Sequence, residues 1–206
     1  MLKSKSIRIT RTIALIALLL CIAQIALLLL SWGVSAVLPD ASIRSLLSSE
    51  GIRWFFGNFT KNLATPVLVW LLLGSIAYGA LLECGLATAF AHPNRLTYRE
   101  QFALRVVYVV IFVFIIVLLL LTVVPHAVLL SVTGSLFPSS FSDSIVPIVC
   151  FGICLVSVIF GVMSGRLKSL VEIFNVLVIG ITYTLPLWLI YIRAAELYFS
   201  ILFVFS

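Results

Sequence analysis

The sequence contains few residues that could act as a nucleophile and a neighbouring base. His92 and His126 are its two histidines, and the apolar segment between them places them on opposite sides of a membrane. The segment "GVMSG", which contains Ser164, has one residue too many for a G-x-S-G nucleophile turn. Because a nucleophile and its base must lie within hydrogen-bond reach, we expect no catalytic residue and no enzyme activity.

The cysteines do not have the pattern of a disulfide framework or of a metal site. All four lie in or beside apolar runs, at Cys21, Cys84, Cys150 and Cys154. Disulfide frameworks place their cysteines in polar extracellular segments, and Cys150 and Cys154 lack the second pair of ligands that zinc requires. Free cysteine usually behaves as a small apolar residue. We therefore expect no metal and no cofactor.

Polar and helix-breaking residues inside the apolar segments are few. Gln24 is the strongly polar side chain that lies deepest in such a segment. Arg193 and Glu196 are three residues apart on one helical face, which predicts a polar clasp between them near the membrane surface. Pro186 lies in the middle of "ITYTLPLWLIY", where it removes a helix hydrogen bond and predicts a kink. A transporter hinge and a simple packing kink are both compatible with this proline.

The composition explains why catalytic chemistry is so sparse. Of the 206 residues, 63% are hydrophobic and 10% are charged, whereas soluble domains carry about 25% charged residues. A chain with so few charges cannot cover itself with a polar surface, so we expect the lipid bilayer to be its solvent. The net charge of +6 resides in short connecting segments rather than in a soluble basic domain, so we expect no binding to nucleic acid.

Charged residues divide the chain into five long uncharged intervals. About 20 helical residues cross a hydrocarbon core of roughly 30 Å, and backbone groups at that depth must be satisfied within helices. The sequence therefore predicts an all-α, polytopic membrane bundle that forms a single transmembrane domain over residues 1–206. The expected spans are 12–38, 63–83, 105–126, 144–164 and 173–193, and an amphipathic outer loop covers 40–61.

The distribution of Lys and Arg predicts the orientation. Nine of them belong to the N-terminus and to the second and fourth loops, whereas four belong to the first loop and the segment after the last span. Because the cytoplasmic side of membrane proteins is enriched in these residues, we expect the N-terminus inside and the C-terminus outside. The first apolar stretch is longer than the roughly 7–15 residues of a signal peptide, so we expect an uncleaved span.

Small residues recur at a spacing of four in two of the predicted spans. Leucine gains little by leaving lipid for another leucine, so membrane helices associate where small residues let their backbones approach. The pattern predicts a helix-packing seam, within one chain or between two copies. Its residues are Ser75, Gly79, Ser157, Gly161 and Gly165.

Two segments resemble the p-aminobenzoyl-glutamate transporter family. The first covers residues 51–86, where an N-F pair precedes a proline entry, a glycine-rich span and a closing Gly-Leu. It is carried by Asn58, Phe59, Pro66, Gly79, Gly85 and Leu86. The second covers residues 134–175, where a serine-rich entry leads to I-V-P, then glycines, then G-x-[IL]-K-S and an acidic residue. It is carried by Ser140, Phe141, Ser144, Ile145, Val146, Pro147, Gly161, Gly165, Lys168, Ser169 and Glu172.

The resemblance implies the scaffold and dimerisation helices of that family without its transport domain. It gives no substrate-binding residue, because the family's substrate and ion sites lie in the missing parts. We therefore expect a transporter-like scaffold in a bacterial cytoplasmic (inner) membrane, acting as a homo-oligomer or with a second membrane protein that supplies further helices. The alternative is a membrane scaffold or assembly protein that transports nothing.

Overall fold

A computed structural model of the chain describes residues 2–37, 43–93, 96–123 and 140–206. The regular elements in these ranges are all α-helices, which confirms the predicted all-α class. They are α1 (Leu2–Val37), α2 (Ser49–Leu63), α3 (Pro66–Glu83), α4 (Leu86–Ala91), α5 (Tyr98–Val123), α6 (Ser140–Ser164) and α7 (Leu170–Phe205).

Five of these helices, α1, α3, α5, α6 and α7, are long and apolar enough to cross a membrane. The chain is therefore an integral membrane protein. The last span differs most from its predicted bounds, because α7 continues from residue 193 to Phe205. The residues after Glu196 are again apolar, so the charged pair that ended the predicted span does not end the helix. The predicted span residues 38 and 124–126, and loop residues 40–42, lie outside the described ranges.

The amphipathic loop contains a helix of its own. The Ser48 side chain caps α2 by accepting a hydrogen bond from the Gly51 amide at 3.0 Å. Glu50 lies in the first turn and Lys61 in the last turn, where each charge has the sign that the helix dipole favours. On one side of α2, Trp54 stacks on Phe203 with 4.4 Å between ring centroids.

The chain divides into two compact units, and the division falls inside α3 and α7. Unit 1 comprises Met1–Val69 and Thr184–Ser206, and unit 2 comprises Trp70–Tyr183. In unit 1 the buried apolar residues Leu46, Phe203 and Val204 form the core. Unit 2 has the larger core, in which α4, α5 and α6 meet. Its buried members are Leu86, Ala89, Ala103, Val107, Val156 and Phe160.

Candidate functional site

Helices α3 and α7 make backbone contact within unit 2. A Cβ atom built on Gly79 would collide with the Cα and amide nitrogen of Gly180 and would lie 3.3 Å from the Val176 carbonyl oxygen. A Cβ atom on Gly180 would collide in turn with the carbonyl oxygen of Ser75. The predicted seam residues Ser75 and Gly79 thus lie together at a helix crossing that requires glycine on both sides.

Gly180 is the member of this crossing that the sequence analysis missed. It precedes Thr184 by four residues, and glycine and threonine both count among the small residues of membrane-helix interfaces. The spacing rule that selected Ser75 and Gly79 would therefore also have selected Gly180. The Ser75 hydroxyl donates to the Leu71 carbonyl at 2.6 Å, so it is satisfied within its own helix.

The small residues of α6 do not form one continuous seam. Ser157 is fully buried in the helix. A Cβ atom on Gly161 would lie 2.6 Å from Leu167 Cδ1 and 3.1 Å from Cys84 Sγ, so this glycine accommodates side chains rather than another backbone. Gly165 lies beyond the helix end at Ser164 and has a φ of 80°. Gly165 thus ends the helix instead of lying within it, and the predicted seam through Ser157, Gly161 and Gly165 stays a prediction.

Two arginines cover the two left-handed glycines of unit 2. The Arg166 guanidinium lies against Gly85, which has a φ of 75°, and Arg99 lies 2.7 Å from a Cβ built on Gly165. Arg99 Nε donates to the Met163 carbonyl at 3.0 Å, and Arg166 pairs with Glu100 at 2.9 Å. The arginines therefore hold both helix ends in place and satisfy a carbonyl in the last turn of α6.

Cys84 follows α3 directly and is completely buried. Burial raises the pKa of its thiol to about 11, and the neighbouring Glu83 carboxylate adds to the rise. At neutral pH the sulfur is therefore a protonated thiol, which is a weak nucleophile. All four cysteines of the chain are free, and they behave as the apolar residues that the sequence predicts.

The predicted clasp between Arg193 and Glu196 is not formed. Arg193 is exposed, whereas Glu196 is 3% exposed. Neither carboxylate oxygen of Glu196 has a hydrogen-bond partner. The spacing of three was correct for a shared helix face, but α7 continues past both residues and packs Glu196 inward.

A polar contact joins α1 to α7 in unit 1, one helical turn beyond Glu196. Gln24 Nε2 donates to the hydroxyl of Ser200 at 3.0 Å, and Ser200 is fully buried. The other side-chain atom of Gln24, Oε1, is buried without a partner. Sequence reasoning selected Gln24 as the deepest polar side chain, but it did not predict its partner.

The α2–α3 turn is tied to α7 through Tyr191. The Tyr191 hydroxyl donates to the Leu63 carbonyl at 2.6 Å and lies 2.8 Å from the Thr65 hydroxyl. Five residues earlier, Pro186 lies within α7, which continues through it as one helix. The predicted kink at Pro186 stays a prediction.

Unit 1 also contains an open groove of about 640 Å³ between α2 and the end of α7. Arg44 and Arg53 give it positive charge, and the buried Asn62 presents an amide nitrogen that has no hydrogen-bond partner. Trp54 and Phe203 provide an aromatic wall. Glu50 also lines the groove and lies 4.0 Å from Arg44, so the groove contains both signs of charge beside its aromatic rings.

The structure does not describe His126, so the expectation that His92 and His126 lie on opposite sides of the membrane stays a prediction. Across the ranges that the structure describes, no three His, Cys, Asp or Glu residues are grouped so as to hold a metal ion. Comparison of the chain with family models, curated proteins and solved structures gave no match. The resemblance to p-aminobenzoyl-glutamate transporters stays a prediction.

Proposed function

We propose that this chain is a membrane-embedded scaffold subunit related to p-aminobenzoyl-glutamate and other ion-coupled transporters. It works as a homo-oligomer or with a second membrane protein that contributes further helices. The observation that carries the scaffold role is the contact between Gly79 and Gly180, where a Cβ on either glycine would meet backbone atoms. Such contacts fix the crossing of two helices, which is what a scaffold must do.

The exposed helix surfaces support a role within an assembly. None of the residues in the most apolar window of α1 is buried in the chain, and 11% are buried in that of α5. These apolar surfaces require lipid or further helices as neighbours. A scaffold that supports a separate transport part would present surfaces of this kind.

The link to transport rests on the resemblance of residues 51–86 and 134–175. That resemblance implies a bacterial cytoplasmic membrane and gives no substrate-binding residue, in keeping with a subunit that depends on others. The contact between Glu100 and Arg166 supports the predicted orientation, because it joins two segments that the charge rule assigns to the same side of the membrane.

Uptake of labelled p-aminobenzoyl-glutamate tests the proposal. Cells that express the chain alone are compared with cells that also express the adjacent open reading frames, and membrane insertion is checked in both. We expect uptake above the vector control in cells that also express a partner, or in cells with the chain alone if it works as a homo-oligomer. The matched variant Gly79→Val should lose that uptake, whereas Gly74→Val should keep it, because a Cβ on Gly74 meets nothing within 4 Å. No uptake in any combination, with the protein inserted, would reject the transport role.

The second candidate function is a scaffold or assembly protein that transports nothing. The close approach of α3 and α7 favours it, because backbone contact leaves no room for a solute between these two helices. Purification of the protein from membranes distinguishes the candidates. A scaffold of this second kind would co-purify with partner proteins in fixed stoichiometry and would show no uptake.

A further inference from the structure

Glu196 is the acidic side chain whose surroundings differ most from those of the other described carboxylates. Glu100 pairs with Arg166 at 2.9 Å, Glu83 accepts a hydrogen bond from Tyr183, and Glu172 accepts one from the Lys168 amide. Glu196 is only 3% exposed, and both of its carboxylate oxygens lack a hydrogen-bond partner. No group on the described chain neutralises it by direct contact.

The residue one helical turn after Glu196 is bonded to a side chain that has a further unmatched acceptor. Ser200 lies one helical turn further on the same face of α7, and its hydroxyl already accepts from Gln24 Nε2. Gln24 Oε1 is a further buried acceptor without a donor. We call Glu196, Ser200 and the Gln24 side chain bonded to Ser200 the Glu196 cluster; it contains three buried acceptor oxygens that have no hydrogen-bond partner.

The titratable groups near this cluster make no direct contact with the Glu196 carboxylate. On α7, Arg193 is exposed and forms no ion pair with Glu196, although its positive charge acts on the carboxylate through space and opposes the effect of burial. On α1, Cys21 lies one turn before Gln24 and is a free thiol. Towards the end of α7, the Arg44 guanidinium lies over the Phe203 ring and within 4.0 Å of Glu50.

A bare carboxylate is among the most costly groups to bury in a membrane helix. A proton removes the charge and converts one acceptor into an O–H donor that faces other acceptors. A metal cation would remove the charge as well, but a hard cation such as Ca²⁺ takes about six to eight oxygen ligands. The Glu196 cluster provides four oxygens, two from the carboxylate and one each from Gln24 and Ser200.

We propose that Glu196 is a proton-binding site in the membrane part of this protein. At neutral pH its carboxyl group holds a proton, and Gln24 and Ser200 form the polar surroundings of that proton. The site does not depend on the scaffold role or on a partner, so its test is separate from the uptake experiment.

Labelling with a hydrophobic carbodiimide tests the site directly. Dicyclohexylcarbodiimide reacts with protonated carboxyls in apolar surroundings: the acid proton moves to one nitrogen, the carboxyl oxygen bonds to the central carbon, and the acyl group then shifts to nitrogen. The product is a stable N-acylurea with no leaving group. In membranes that contain the full chain, we expect peptide mass spectrometry at pH 7 to find this adduct at Glu196 and not at the exposed Glu50 or Glu172. Labelling should fall as the pH is raised.

Two comparisons complete the test. Labelling in sodium chloride and in choline chloride should be equal, and loss of the adduct in sodium would overturn the proposal because a metal cation would then occupy the carboxylate. Absence of an adduct at Glu196 at every pH would overturn it as well.

A stability comparison does not depend on the reagent. Glu196→Gln replaces a neutral carboxyl by a neutral amide, so the thermal midpoint at pH 7 should not fall. Glu100→Gln is the matched control, because it removes a charged partner of Arg166, and it should lower the midpoint by at most about 2–4 °C, since the ion pair is partly exposed. A lower midpoint for Glu196→Gln than for Glu100→Gln would show that Glu196 is ionised and paired, and would reject the proton site.

Discussion

At the scale of single residues, the glycines of this protein have different tasks that their spacing does not reveal. Gly79 and Gly180 allow two helix backbones to touch, Gly161 accommodates a leucine and a cysteine side chain, and Gly165 ends a helix. Gly74 lies in the same helix as Gly79 but has open space around it. Each of these glycines should therefore respond differently to an added side chain.

We expect Gly79→Val to lower the free energy of unfolding by about 1–3 kcal/mol, because the new atoms would overlap the backbone of α7. Gly74→Val adds the same atoms to the same helix in open space, so its effect should stay within about 0.5 kcal/mol. Thermal or denaturant unfolding of the purified protein in one detergent measures both. Equal effects of the two variants would mean that the α3–α7 contact does not form.

The residue scale also shows the limit of sequence reasoning. Ser75 and Gly79 were found by their spacing, since close helix packing requires small residues at that interval. The burial of Glu196 was not found, because it depends on how α1 packs against α7. A single sequence places a residue on a helix face, but it does not say which neighbour covers that face.

At the scale of elements, the apolar intervals predicted the positions of the helices more accurately than the residues at which the helices end. Each interval gave one membrane-crossing helix, because a charge-free stretch of that length has no other way to satisfy its backbone in lipid. The fifth interval ended at Arg193 in the prediction, yet α7 is 36 residues long. A charged residue can lie inside a helix. It therefore limits an uncharged interval of the sequence without ending the helix.

The amphipathic helix α2 depends on its first turn. The Ser48 hydroxyl accepts a hydrogen bond from the Gly51 amide at 3.0 Å and donates one to the Ser45 carbonyl at 2.7 Å. Loss of such a cap costs about 1 kcal/mol, so Ser48→Ala should speed amide exchange in residues 49–63 about fivefold. Hydrogen exchange read by mass spectrometry measures it. Ser49→Ala, at the exposed neighbouring position, is the control, and equal exchange in the two variants would argue against the cap.

At the scale of the whole molecule, contacts between connecting segments agree with an odd number of spans. The Arg44 amide donates to the Val204 carbonyl at 3.0 Å, which joins the first loop to the C-terminal end of α7. Glu100 and Arg166 join the second and fourth loops. With five spans, each of these two pairs lies on one side of the membrane, and the positive-inside rule assigns the second pair to the cytoplasm.

Accessibility to a membrane-impermeant maleimide checks this orientation. In a cysteine-free background, Glu50→Cys should be labelled from outside intact cells, whereas Lys168→Cys should be labelled after the cells are opened. Both positions are exposed, so a difference in labelling reports the side of the membrane. Labelling of Lys168→Cys in intact cells would reverse the predicted orientation.

The contact between Gly79 and Gly180 has a consequence for biosynthesis. Gly180 leaves the ribosome roughly 100 residues after Gly79, which at about 5–20 residues per second is a delay of roughly 5–20 s. During that interval α3 is already in the bilayer, and its glycine surface has no α7 to meet. Lipid or other helices must therefore cover this surface first, and the pairing of α3 with α7 is among the last steps of assembly.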